Sequence, residues 1–329
     1  MLSPRLGYTH AVMTDIAIDI QNVNKRFGST HAVRDLDLQV PAGSLCGFLG
    51  PNGAGKSTTI RMIMSIIYPD SGSIRVLGSS ALANKDRIGY LPEERGLYRK
   101  MKVGDFLEYV AALKGAPRHG LKKRIADWLA RIDLPAVATK KCEELSKGMQ
   151  QKVQFLAAII HDPELLILDE PFSGLDPVNA ELLNHLVREM NDEGRTIIFS
   201  THILHQAELL CDRIFLINKG VKLLDATLGE IHERFNPRTL VAEPLNGAAD
   251  LGAIEGVHAA RPMKDSPAVE LELVDGVDPQ AIMQRILEAA PMRSVARRRL
   301  TLDEVFVQQV KAGIGEAAAE LAREELSHV

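Results

Sequence analysis

The sequence predicts an α/β fold: a mostly parallel sheet core that carries a helical subdomain, followed by a small C-terminal α+β domain. Three observations predict it. Short, largely apolar runs (LLIL at 165–168, TIIFS at 196–200, IFLI at 214–217) read as strands buried on both faces. Helix-like stretches separate them, which is the alternation of a parallel sheet covered on both sides. Between about 102 and 160 the pattern is helical in successive blocks, VGDFLEYVAALKG, KKRIADWLARIDL and GMQQKVQFLAAII, long enough for a subdomain set into the sheet domain. Beyond about residue 230 the punctuation thickens, with Asn236-Pro237 and EPLNGAADLG at 243–252, and strands and helices alternate on a smaller scale.

In chain order, residues 1–12 read as a loose leader, and Met13 competes with Met1 as the true start. IAIDIQNVNKRF (16–27) and HAVRDLDLQV (31–40) alternate apolar and polar positions, as half-exposed strands do, and Pro41-Ala42-Gly43 makes a turn. SLCGFLG (44–50) is a buried strand ending in glycine. A helix is expected from Lys56 to about Ile67, closed by Tyr68-Pro69-Asp70-Ser71-Gly72. The main domain is placed at 13–229, its helical subdomain at about 93–160, the small domain at 230–311 and an Ala/Glu-rich, loosely helical tail at 312–329. Within the small domain, VELELV (269–274) and SVARRRL (294–300) read as strands, and 279–289 and 301–310 as helices, the last opened by a Thr301/Glu304 capping box.

Composition narrows the function. A length of 329 residues suits two units of about 150 each. A formal charge of -4 and 5% aromatic residues argue against a nucleic-acid partner, which calls for basic patches and stacking platforms. No apolar run approaches the roughly 18 residues of a membrane span, and the first residues lack the apolar segment of a secretory signal. Cys46, Cys142 and Cys211 lie far apart without a CxxC pair, which fits a reducing cytosol and suggests neither zinc nor a disulfide framework.

The chemistry begins at Gly50-Pro51-Asn52-Gly53-Ala54-Gly55-Lys56-Ser57, a complete GxxxxGK[ST] followed by Thr58, framed by a strand and a helix. Its glycines let successive N–H groups turn inward on phosphate oxygens, and the helix adds its positive end. Lys56 is expected to reach the β- and γ-phosphates of ATP, and the Ser57 hydroxyl to ligate Mg²⁺. LLILDE (165–170) brings two carboxylates out of a buried strand: Asp169 to hold Mg²⁺ and Glu170 to polarise the attacking water. A strand ending in Asp-Glu is, alone, equally a solvated strand end; the phosphate loop upstream favours the functional reading.

Leu145-Ser146-Lys147-Gly148-Met149-Gln150-Gln151 resembles the LSGGQ signature of ABC-type ATPases, and other pieces resemble that family in order. Phe27 stands where the family has an aromatic that stacks on adenine, Ser173-Gly174-Leu175-Asp176 resembles the D-loop, and His202 resembles the switch histidine. Two departures stand out. Lys147 and Met149 replace the Gly and Gln of many members, and Glu93 in IGYLPEERGLY replaces the Q-loop glutamine, still offering Mg²⁺ an oxygen but losing the amide donor. YLPEERGLY with LSKGMQQK resembles an export branch that includes sodium-extrusion and drug-resistance systems.

The resemblance implies that Ser146 caps a helix whose N-terminus faces the γ-phosphate held by a second subunit, so each ATP is sandwiched in a homodimer or heterodimer. It implies that His202 contacts the γ-phosphate and helps hold Glu170 and the water. It further implies an ATPase on the cytoplasmic side, peripheral to the inner face of the membrane, that powers export of an ion, drug or lipid-like molecule through a separate permease. The contact with that permease falls to the Q-loop and helical subdomain. The alternative is a soluble ABC-type ATPase not coupled to transport, such as a cluster-assembly factor. Relatives with long coiled coils are excluded by the short interval from Ser57 to Leu145, and those with two ATPase units by the single phosphate loop. The small domain is expected to regulate or to support the dimer. Cys211 and Trp128 are read as packing residues, and Arg297-Arg298-Arg299 as a solvated face.

Overall fold

The computed structural model describes residues 15–94, 96–235, 238–245, 250–264 and 266–314. The leader, the choice between Met1 and Met13, Asn236-Pro237 and the tail past 314 lie outside them. The chain divides into two compact units, one spanning Thr227–Gln309 and the other formed by the rest.

The first unit holds two sheets. β1 (Ile16–Phe27) and β2 (Thr30–Pro41) form a long antiparallel hairpin, and β4 (Ser71–Val76) pairs with the other edge of β1. Their alternation turns Ile18, Ile20, Val33, Leu36 and Leu38 inward onto one core with Ile60 and Phe215. The second sheet runs in the order β5 (Ile88–Leu91), β6 (Leu165–Asp169), β7 (Thr196–Thr201), β3 (Leu45–Leu49), β8 (Arg213–Asn218), β9 (Val221–Thr227). Every pair from β5 to β8 is parallel. β3 and β6 are buried at all positions, as strands covered on both faces must be.

Helix α1 (Lys56–Ile63) leads from β3 to β4, α5 (Pro177–Asp192) joins β6 to β7, and α6 (Leu204–Leu210) joins β7 to β8. The three helical blocks expected from the sequence are α2 (Val103–Leu113), α3 (Leu121–Arg131) and α4 (Lys147–Ile159), all between β5 and β6. α1 ends at Ile63 rather than near Ile67: Ser65 adopts a left-handed φ of 56°, which breaks the helical run. The stretch read as its closing turn then leads directly into β4. Among the described residues no helix is long and apolar enough to cross a membrane.

The second unit is a four-stranded antiparallel sheet, β11 (Val257–Pro262), β12 (Val269–Leu273), β10 (Thr239–Pro244), β13 (Met292–Arg297), with α8 (Pro279–Ala289) packed through Ile282 and Ile286 onto Leu240, Ala242 and Leu271. α7 (Leu228–Arg234) opens the unit on a Thr227/Glu230 capping box. α9 (Leu302–Ile314) opens on the expected box, with Thr301 N donating to Glu304 at 3.0 Å and Glu304 N to Thr301 Oγ1 at 3.3 Å. The basic run is not one solvated face. Arg298 pairs with Glu270 at 3.3 Å and with Glu304, so its charge is spent inside the unit.

Candidate functional site

The glycine loop runs from the end of β3 into α1 and is wedged between backbones. A Cβ on Gly55 would lie 2.5 Å from the Ala32 carbonyl oxygen, and one on Gly50 2.1 Å from that of Ile217. Gly55 also has a φ of 108°, open to glycine and strained for other residues. The turn joining β8 to β9 braces the loop: Gly220 N donates to Ala54 O at 2.8 Å, and Arg34 N donates to Gly220 O at 2.8 Å. One residue thus ties the loop to the β1–β2 hairpin. Lys56 is buried and its Nζ donates to Gly50 O at 2.6 Å and Pro51 O at 3.2 Å. Burial pulls the Lys56 pKa down, and the Glu170, Asp169 and Glu93 carboxylates pull it back up.

A cavity of about 500 Å³ opens over the loop. Asn52, Gly53, Ala54, Gly55, Lys56, Ser57 and Thr58 form one wall, and Glu93 and Glu170 join them from the ends of two neighbouring strands. Strand and turn residues that no motif marks complete it: His31 and Arg34 from β2, and Lys219 from the turn after β8. Phe27 is not itself a wall residue but stands two residues before Ser29, which is, half exposed at the end of β1 with Lys25 Nζ 5.4 Å from its ring centre.

β6 delivers the acids. Asp169 is buried and accepts a hydrogen bond from Ser200 Oγ on β7. Glu170, just beyond the strand, adopts a left-handed φ of 49°, a conformation that costs a non-glycine residue roughly 1–3 kcal/mol. Its side chain is fixed from β7 and the turn after it. Oε1 accepts from His202 N at 3.1 Å and lies 2.9 Å from His202 Nδ1, and Oε2 accepts from Thr201 Oγ1 at 3.3 Å. An ionised carboxylate only accepts, so this contact selects the histidine form protonated at Nδ1.

The signature residues lie elsewhere. None of Ser146, Lys147, Gly148, Met149 or Gln150 is on the cavity wall. Ser146 is the N-cap of α4, its Oγ accepting from Met149 N at 3.3 Å, and Ser146 and Lys147 are exposed. Gln150 Nε2 donates to the Cys142 and Leu145 carbonyls at 3.2 and 3.1 Å, tightening the approach to the helix. The segment Ser173-Gly174-Leu175-Asp176 runs beside it: a Cβ on Gly148 would lie 3.6 Å from Leu175. Asp176 caps α5 by accepting from Asn179 N at 3.1 Å, and Lys152 of α4 donates to Asn179 Oδ1 at 2.8 Å. The starts of α4 and α5 therefore form one braced surface. Cys211 is buried, as expected; Trp128 is half-buried on α3, with the Arg131 guanidinium 4.3 Å from its ring centre.

The ABC transporter family profile matches residues 33–173, and the profile of the ATP-binding protein DrrA1-3-like C-terminal domain matches 227–310. The chain is 40% identical over 298 residues to the uncharacterized ABC transporter ATP-binding protein YhaQ of Bacillus subtilis, covering 90% of this chain and 99% of that one. It is 33% identical over 307 residues to the daunorubicin resistance ATP-binding protein DrrA3 of Streptomyces coeruleorubidus, covering 90% and 96%. A solved ATP-binding subunit of an ABC transporter superposes with a TM-score of 0.63 at 30% identity, over 67% of this chain and 93% of that one. With its glycine loop, paired acids and appended domain, this chain belongs to the ABC transporter ATP-binding proteins and is an ATPase of that type.

Proposed function

We propose that the chain binds MgATP in the cavity over the glycine loop and, as one half of a dimer, uses its hydrolysis to drive export through a separate membrane permease. The observation that carries the catalytic part is the clamped carboxylate. Glu170 is held by His202 and Thr201 on the wall of the same cavity as Lys56 and Ser57. The loop N–H groups and the Lys56 ammonium bind the triphosphate. Glu170 orients the attacking water and takes its proton, and His202 keeps Glu170 aimed beside the γ-phosphate.

The donor set around the cavity fits Mg²⁺, a hard cation held by few protein oxygens together with phosphates. Ser57 Oγ, Asp169 and Glu93 would hold it, and when bound it would neutralise charge gathering on the phosphate oxygens. Phe27 is the candidate for stacking on the base.

The dimer is supported by what one chain's cavity does not include. Ser146 to Gln150 stay off its wall, while the N-terminus of α4 is exposed and able to meet a phosphate held by another copy. The Ser173–Asp176 segment beside it shares that face. Permease docking through the Glu93 loop and the helices after it places the chain peripherally on the cytoplasmic face. The drug-resistance relative supports export as the direction.

Glu170→Gln tests the catalytic assignment. Steady-state hydrolysis should fall by roughly 10²–10⁴-fold, while binding of a fluorescent ATP analogue stays within about threefold. Undiminished turnover would remove Glu170 from the role.

A further inference from the structure

A second cavity, of about 230 Å³, lies between α3 of the helical subdomain and α5 of the core, far along the chain from the glycine loop. Three arginines line it: Arg124 and Arg131 from α3, and Arg195 just after α5. Its acids are already engaged. Arg131 pairs with Glu189 at 2.5 Å, and Arg195 pairs with Asp162 at 2.5 Å and Glu193 at 2.6 Å. Arg124 is different. Its Nε and Nη2 are both buried, and neither has a hydrogen-bond partner among the described residues. Those two nitrogens form one edge of the guanidinium, the pair of parallel N–H donors that grips two oxygens of a carboxylate or phosphate at once.

Burial of such an edge without an acceptor is costly, and arginine cannot escape by losing its proton. The space is several times a water molecule's share of about 30 Å³ and below the roughly 300 Å³ of pockets for drug-sized ligands. Ile159, Met190 and the Trp128 ring supply an apolar wall that strengthens any charge pairing inside.

We propose that this cavity is a binding site for a small oxyanion, seated in two parallel hydrogen bonds on the Nε–Nη2 edge of Arg124. A carboxylate and a phosphate share the required chemistry. The bound anion bridges the helical subdomain to α5, apart from the nucleotide cavity.

Trp128 is the only tryptophan in the chain and lines the cavity, so its fluorescence reports occupancy directly. Full-length protein, with MgADP present to fill the nucleotide cavity, is titrated with sodium phosphate and separately with sodium acetate at constant ionic strength, with chloride as the control. A saturable change in the phosphate or the acetate arm, absent with chloride, is the expected result. The arm that saturates at the lower concentration identifies the head group. Arg124→Gln should weaken binding at least tenfold, and Arg124→Lys should not restore it, because an ammonium keeps the charge but lacks the paired edge. Retained ATPase activity verifies that the variants are folded. If either fails to fold, the parent protein's phosphate and acetate titrations against chloride decide alone. Drift equal to that in chloride, or an Arg124→Gln variant that binds as tightly as the parent, overturns the proposal.

Discussion

Lys56 and Arg124 are both cations with buried nitrogens, and the protein treats them in opposite ways. Lys56 is wrapped by its own loop, donating to Gly50 and Pro51, and stands in the field of Glu170, Asp169 and Glu93. Arg124 buries Nε and Nη2 with no acceptor, although acids line the same cavity, because Arg131 and Arg195 have taken them. A buried charge must be compensated. The glycine loop carries temporary compensation that a triphosphate can displace, whereas the α3–α5 cavity leaves its compensation to come from outside. Strength of compensation within the fold is therefore a guide to what a site exchanges.

Lys56→Met should break the first half of the comparison most severely. It deletes the cation proposed to bind the phosphates, and ATP turnover should fall by roughly 10²–10³-fold, the scale for loss of one preorganised charge-stabilising donor. Next in size is Arg124→Met. Replacing an uncompensated buried charge with an apolar side chain should raise stability in anion-free buffer by on the order of 1 kcal/mol, seen as a thermal midpoint a few degrees higher. A lowered midpoint would mean that the fork is satisfied internally.

His161 sharpens the contrast, since it is a buried base that can shed its charge. Burial and the nearby Lys114 push its pKa down to about 4, and it sits 3.2 Å from the Ile88 carbonyl. Between its ordinary pKa of 6.5 and about 4 the unfolded chain binds the extra proton and the folded one does not. Stability should therefore fall as pH drops through that window, and His161→Leu should flatten the decline in urea unfolding series. The smallest effect is expected at the signature. Ser146→Ala removes the α4 cap, an exposed 3.3 Å bond, and should cost about 0.5 kcal/mol, read as a shift in the urea midpoint.

Much of the site was legible because its parts are local in sequence. The glycine loop, LLILDE and the Ser146 cap each carry their chemistry within a few adjacent residues. The walls contributed by His31, Arg34 and Lys219 were not legible, since they come from strand ends that only the sheet order brings to the loop. β4 and β5 were missed for a different reason: β4 opens on Ser71-Gly72, which carries a turn signal, and IGYL is only four residues long. Nothing in the run Lys122-Lys123-Arg124 sets the arginine apart in the sequence. Lys122 and Lys123 are exposed, but the turn of α3 carries Arg124 to the side shared with Trp128, four residues on.

The proposed clamp of two chains around ATP is tested most directly by mass. Light scattering on the Glu170→Gln variant saturated with MgATP should show twice the 36.1 kDa of a single chain, returning to one chain when the nucleotide is withdrawn. A particle that stays at the single-chain mass with the nucleotide bound would contradict it.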